Sequence, residues 1–318
     1  ALAVFQAVLE STGDGSWLER EVLAQVEQAF EREEDPDGFW DFYTRSREGF
    51  PGRIGLPKLF ATQLALRGEV DEAVTLFREV LESDPGDRHA RGELIDLLEG
   101  AGLLEEAGRE LEALIGDKGE LALFERLAAL RHRMGDRSGL EEALGRMLTR
   151  ANQEGDSAAL VLVARLFERY ELPGRSEEVL RDACRKFAGN VELKEAWASC
   201  LAARERPEEA LVIWEAMAVD ADRDGLLAVS RSLRVHGFAE EAFNALQRRA
   251  PDFGRDAVFL SAYCEAGVLA RRGGEVWSSA VLLARLAETP ADLEQALGQA
   301  LMVALICCNF KRPVGWGK

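Results

Sequence analysis

Ala73-Val-Thr-Leu-Phe77-Arg-Glu-Val80-Leu-Glu-Ser83 is the stretch that decides the fold. Its small residue, its large aromatic and the apolar residue that follows stand one helical turn apart, so all three share one face. Ala1-Leu-Ala-Val-Phe5-Gln-Ala-Val8-Leu-Glu-Ser11 carries the same Ala, Phe, Val, Leu, Glu and Ser at the same places. The order returns as Ala107, Leu111, Leu114; as Leu140, Leu144, Met147; and as Ser176, Leu180, Ala183. Ala210, Trp214, Met217 and, more loosely, Ala242, Leu246 continue it. From Ala73 to Ala242 the separations are 34, 33, 36, 34 and 32 residues. A fixed period of this length is the mark of a helical repeat array.

A second amphipathic helix precedes most of these stretches. Ala61 to Arg67 runs into Gly68, Ile95 to Ala101 into Gly102, Ala128 to Met134 into Gly135, and Ser230 to His236 into Gly237. Glycine just past a helix adopts the left-handed conformation that a C-terminal cap needs. The next helix then opens on acid, at Asp71-Glu72, Glu105-Glu106, Glu208-Glu209 and Glu240-Glu241, which suits the positive end of the helix dipole. Proline closes some units, at Pro51, Pro85 and Pro251. No alternating apolar–polar run bounded by turns reads as a strand.

This pattern resembles the tetratricopeptide repeat, with its turn glycine, its alanine at the helix crossing, its later aromatic and its closing proline. Gly68, Ala73, Phe77 and Pro85 match; so do Gly102 with Ala107, and Gly237 with Ala242. Glu171 and Glu205 depart, standing where the turn glycine would be. The resemblance implies an all-α solenoid of antiparallel helix pairs wound into a right-handed superhelix, with about seven to eight degenerate units. Each pair has an apolar face too large to cover alone, and stacking buries it against its neighbours.

The expected layout is a single solenoid over residues 1–318. Residues 1–15 read as the second helix of a truncated unit, residues 16–288 as helix pairs, and residues 289–318 as a C-terminal apolar helix and tail. Residues 16–51 fit one unit, with Trp17, Leu18, Leu23, Val26 and Phe30 on the first helix, and Phe39, Phe42 and Tyr43 on the second. Residues 256–288 fit another, with Gly273-Gly274 as the turn and Trp277, Leu283 and Leu286 on its second helix. Asp292 then caps a last helix to about Phe310, apolar on all sides through Leu301, Met302, Val303, Leu305 and Ile306. A terminal helix of a solenoid needs a polar outer face. The expectation is therefore an excerpt of a longer protein, with further repeats or another subunit on this helix.

Composition narrows the function. Hydrophobic residues make up 47%, a globular value, and the formal net charge is −18, with 57 acidic against 39 basic residues. Such a field repels phosphate, so no nucleic-acid partner is expected. The segment Glu19 to Asp37 concentrates eight carboxylates against Arg20 and Arg32. It reads as a solvated face or as a surface for a basic partner segment. The longest apolar stretch, Leu297 to Phe310, is too short to span a bilayer. Cys184, Cys200, Cys264, Cys307 and Cys308 read as free thiols in a reducing compartment such as the cytoplasm.

Catalytic chemistry is not expected. The sequence has no Gly-x4-Gly-Lys-Ser/Thr loop and no His-x3-His or Cys-x2-Cys spacing. His89, His132 and His236 lie in different repeats, and His236, next to Gly237, reads as a helix C-cap. No cofactor or metal is predicted. Trp197, Trp214, Trp17 and Trp40 read as packing residues.

What remains is a surface. In the resembled family the first helices of successive units line a concave groove for partner peptides or helices. Carried onto this chain, that groove would include His89, Asp96, Glu99, Glu125, His132, Arg165, Glu168, Arg169, Glu195, Arg231 and Arg234. The family's clamp for chaperone tails, built from Lys, Asn and Arg, has no counterpart: Thr62 follows Lys58, and the next first helix offers Gly92 and Asp96. Two functions are expected in competition. One is an adaptor or scaffold that binds a partner protein or peptide. The other is a structural or regulatory helical arm of a larger enzyme, sensor or assembly.

Overall fold

Among the described residues eight turns close with the same backbone hydrogen bond, and the seven that join the two helices of a pair set the register of everything else. An N–H reaches back five residues at Glu69→Leu64, Leu103→Leu98, Asp136→Arg131 and Leu172→Phe167. The series continues at Arg206→Leu201, Phe238→Leu233 and Arg272→Gly267. This is the Schellman bond, which needs a left-handed residue just before its donor. Gly68, Gly102, Gly135 and Gly237 supply it with φ of 81°, 78°, 71° and 88°. Glu171, Glu205 and Arg271 supply it at φ of 59°, 58° and 59°, without the freedom glycine has there. The two departures from the turn glycine thus keep the turn itself.

The computed structural model describes residues 7, 10–11, 17–32, 36–50, 53–116 and 119–309. Among them every regular element is helical and no strand occurs. The first elements are α1 (Trp17–Arg32), α2 (Pro36–Gly49), α3 (Gly55–Arg67), α4 (Val70–Ser83), α5 (Arg88–Gly100) and α6 (Leu104–Ile115). Next come α7 (Leu121–Arg133), α8 (Arg137–Glu154), α9 (Ser157–Arg169), α10 (Pro173–Lys186), α11 (Val191–Ala202) and α12 (Pro207–Val219). The last are α13 (Arg223–Val235), α14 (Ala239–Phe253), α15 (Ala257–Leu269), α16 (Gly273–Leu286) and α17 (Pro290–Asn309). Odd-numbered helices are the first of each pair and even-numbered ones the second. The chain divides into two compact units, Ala1–Met147 and Leu148–Lys318.

Five residues after each of these seven left-handed positions the second helix sinks a residue completely or nearly so. These are Ala73, Ala107, Leu140, Ser176, Ala210, Ala242 and Val276, all buried. Four further on stand Phe77, Leu111, Leu144, Leu180, Trp214, Leu246 and Ala280, also buried. Within Ala1–Met147, Ala73, Phe77 and Ala107 join Phe42, Tyr43, Phe60 and Leu94 in one core. Within Leu148–Lys318, Ala210, Trp214, Ala242, Leu246, Val276 and Ala280 join Leu201, Leu226, Leu233, Phe243, Phe259 and Tyr263 in another.

Five first helices, α5, α9, α11, α13 and α15, start on a side-chain cap, which α3 and α7 lack and which the second helix α8 shares through Asp136, acceptor of Gly139 N–H at 2.9 Å. Asp87 accepts from Ala90 N–H at 2.9 Å, Asp156 from Ala159 at 3.0 Å, and Asn190 from Leu193 at 2.9 Å. Asp222 accepts from Gly225 at 2.8 Å, and Asp256 from Phe259 at 2.9 Å. Each satisfies a backbone N–H that no helical carbonyl can reach. Asp256 also receives Arg223 Nη1 at 2.7 Å. The N–H of Phe259, and then Arg223, hold its carboxyl below the usual carboxylate range. A depressed folded pKa means stability that is present above the unfolded value, about 3.9, and lost as pH falls through the folded one. Asp256→Ala is therefore expected to cost about 0.5–2 kcal/mol at pH 7, with the deficit shrinking on acidification below about pH 4. Urea midpoints of both proteins at pH 7 and pH 3 measure it, and a pH-independent difference would contradict it.

Several expectations need correction. Gly273-Gly274 is not the turn: the Arg272→Gly267 bond closes two residues earlier, on Arg271, and Gly273 already opens α16. Val276 therefore takes the buried place, and Trp277 beside it is 46% exposed. Trp17 is 71% exposed, not core, because the inward face of α1 is carried by Val22 and Val26. Pro251 lies inside α14 rather than after it, whereas Pro85 follows α4. The N-cap of α17 is Thr289, whose N–H and Oγ1–H donate to Asp292 Oδ2 at 3.0 and 2.7 Å. Asp292 N–H answers to Thr289 Oγ1 at 3.2 Å, a reciprocal capping box. Residues 1–6, 8–9, 12–16, 33–35, Pro51 and 310–318 lie outside the described residues, as do most side chains of the acidic segment Glu19 to Asp37.

Candidate functional site: the first-helix face

The predicted groove residues divide by what holds them. In Ala1–Met147, Arg126 of α7 donates to Asp96 and, from Nε at 2.7 Å, to Glu99 of α5. Arg133 adds a longer bond to Glu99 at 3.5 Å. Asp96 and Glu99 thus link one repeat to the next. His89 is exposed, 4.0 Å from Glu93 one turn on. Glu125 is half-buried on α7, and His132 is exposed at its end.

In Leu148–Lys318 the same division holds. Glu168 accepts from Ser176 Oγ at 3.1 Å and lies 3.7 Å from Arg204. Arg204 reaches on to Glu177 at 2.8 Å, which Arg206 also grips at 2.7 Å. The Arg206 bond, followed by that of Arg204, holds the Glu177 carboxyl below its usual range. Glu195 accepts Trp214 Nε1–H at 2.8 Å, so it serves the core as much as the surface. Arg234 pairs with Glu265 of α15 at 2.5 Å. Arg165, Arg169 and Arg231 are exposed on α9 and α13, and among the described residues none of the three forms an ion pair.

Arg231 stands at an open cleft of about 560 Å³ between α13, α15 and α17. Leu227, Ala262, Leu283, Leu286 and Ala296 form its apolar lining, with Glu288 and Asp292 also on its wall. Val258 of α15 lines it and is 59% exposed. A second cleft of about 400 Å³ shares Arg234, Glu265 and Gln295 and adds Val268, Leu269 and Met302. The sequence reading named Arg231 and Arg234 but missed Val258, Glu288 and Asp292. Val258 was findable: it stands two residues after the cap Asp256, the place His89 holds after Asp87.

Burial disfavours the thiolate form of Cys184, Cys200 and Cys264. Burial pushes Cys200 up to about 11 and Cys264 up to about 12, so both stay protonated at neutral pH. Among the described residues no group of His, Cys, Asp and Glu could hold a metal ion. No described helix is long and apolar enough to cross a membrane.

Shared turns, shared caps and the small-then-large register define an all-α protein of stacked helix pairs. Residues 64–131 match the family model described as tetratricopeptide repeat, so that stretch of the chain carries such repeats. Such repeats are in general protein-interaction scaffolds. No curated protein matches the chain. Among solved structures it is similar to the Naa15/Naa10 complex bound to HypK-THB, at 16% identity and a TM-score of 0.44. That match covers 88% of this chain and 44% of the other, so this chain spans less than half of that one's length. It is similar to the MamA protein at 12% identity and a TM-score of 0.34, over 62% of this chain and 94% of that one. A tetratricopeptide repeat protein from Parabacteroides merdae gives 14% identity and a TM-score of 0.36, over 77% and 97%.

Proposed function

We propose that the chain is a non-catalytic scaffold that holds a partner protein or peptide on its first-helix face, in the cleft between α13, α15 and α17. The observation that carries this reading is Arg231, an exposed cation without an ion pair, set beside an apolar lining that leaves Val258 59% exposed. A surface arginine with no internal partner costs nothing to recruit, whereas Arg234 must first leave Glu265. The cleft fits a segment with an apolar side chain for the Val258 wall and a carboxylate for Arg231. Glu288 and Asp292 across the cleft favour a basic residue further along the same segment.

Peptides selected from a random phage-displayed library on the intact chain, then titrated by calorimetry, test this. Arg231→Glu and Val258→Asp are each expected to weaken the selected peptides at least about tenfold, or roughly 1.4 kcal/mol. Affinities indifferent to both substitutions would remove the cleft as the site. The second reading, a structural or regulatory arm of a larger assembly, draws on the uncovered face of α17.

A further inference from the structure

The last described helix carries a leucine stripe that nothing among the described residues covers. Leu293, Leu297, Leu301 and Leu305 follow one another at four-residue spacing and are 42%, 55%, 62% and 51% exposed. Met302 beside them is 51% exposed, while Ala296 and Val303 on the other side are buried. A contiguous apolar strip of this kind marks an interface.

The repeat register says what such a face meets. Leu293 and Leu297 stand four and eight residues after the N-cap Thr289. The same places after Asp256 are Leu260 and Cys264, after Asp222 Leu226 and Ser230, and after Asp156 Leu160 and Ala164, all of them buried. In the preceding pair the cover is the second helix: Leu260 packs with Leu283 of α16, and Cys264 Sγ lies 4.0 Å from the Val276 carbonyl. On α17 the equivalent face is complete and its second helix has no counterpart among the described residues.

Charge narrows the occupant. Glu288, Asp292 and Glu294 cluster at the N-terminal end of α17, and from Gln295 to Asn309 no residue is charged. A helix running antiparallel to α17 sets its own C-terminal turn beside those acids. Its exposed carbonyls already make that end negative, so the turn needs Lys or Arg. A second copy of this chain is a poorer match, because two bodies of formal charge −18 repel.

We propose that this face docks an antiparallel amphipathic helix from a partner protein, built like the chain's own second helices. It carries a small residue, a large apolar one four positions on and another three further, with basic residues in its last turn. The inference does not need the apolar lining of the cleft or Arg231, although Glu288 and Asp292 border both faces.

The probe is a blocked peptide with the sequence of residues 70–83, held helical by a staple on its solvent side and carrying Glu82→Lys and Ser83→Lys. Fluorescence anisotropy with the intact 318-residue chain is expected to show saturable binding. Leu297→Glu with Leu301→Glu should weaken it at least tenfold while the far-UV dichroism and the urea midpoint stay unchanged. The peptide without the two lysines should bind several-fold more weakly at low salt. Absence of binding, or equal binding to the double variant, overturns the proposal. So does a concentration-dependent dimer of the chain that the double variant abolishes, since that assigns the face to a second copy.

Discussion

Replacing Trp214 with alanine is expected to lower the stability of the unit Leu148–Lys318 by about 3–5 kcal/mol. Trp214 is the largest fully buried side chain among the described residues. Its ring lies 5.1 Å from the His236 ring and 5.9 Å from that of Phe238, so it fills the space between one helix pair and the next. Its Nε1–H also holds Glu195 in place. Alanine removes the packing on both sides and leaves that carboxylate without its donor. Trp214→Phe keeps much of the ring contact and should cost visibly less. Urea unfolding followed at 222 nm measures both, and a loss below about 1 kcal/mol for alanine would mean the two pairs are not coupled through this residue.

The second large effect comes from an exchange of sizes. At the Schellman carbonyl position Leu98, Leu201 and Leu233 precede second helices that bring Ala107, Ala210 and Ala242. In the α15–α16 pair the sizes are reversed, with Gly267 against Val276. A Cβ on Gly267 would lie 2.5 Å from Val276 Cγ1 and 2.9 Å from Cγ2. Both are methyls on the branched Cβ of the fully buried Val276, which leaves them no room to step aside. Gly267→Leu should thus destabilise by about 1–3 kcal/mol or more. Val276→Ala leaves a void and also destabilises. Together they restore the pairing of the other repeats, so the double variant is expected to beat the sum of the singles by about 0.5–3 kcal/mol. Strict additivity would show that the two residues do not meet.

Most of the second-helix register was legible because a single face repeats the same sizes. Ala73, Phe77, Ala210 and Trp214 need only the helical period to be placed, and all four are fully buried. The last full pair misled for the opposite reason. Gly273 and Gly274 look like a turn, yet Arg271 takes the left-handed conformation, because a Schellman bond depends on where the apolar face ends. The capping residues Asp87, Asp156, Asn190, Asp222 and Asp256 were also readable, at 34, 32 and 34 residues from Asp156 onward. They escaped notice because aspartate is common in so acidic a chain. The pairing of Asp96 and Glu99 with Arg126, or of Arg234 with Glu265, was not legible. Those bonds cross about thirty residues, and their geometry depends on how consecutive pairs stack.

The unlike beginnings of the two kinds of helix have a consequence for the order in which the chain acquires structure. A capped first helix such as α9, α11, α13 or α15 carries its own start in an Asp or Asn side chain and its own stop in a left-handed residue. The second helices α4, α6, α10, α12, α14 and α16 have no side-chain cap, and each opens directly from the Schellman turn before it. Starting a helix is the costly step, and a preformed turn supplies its first fixed dihedrals. In pairs of this kind structure is therefore expected to spread from the capped helix through the turn into its uncapped follower. Amide protons of the second helices then exchange with solvent no later than those of the first.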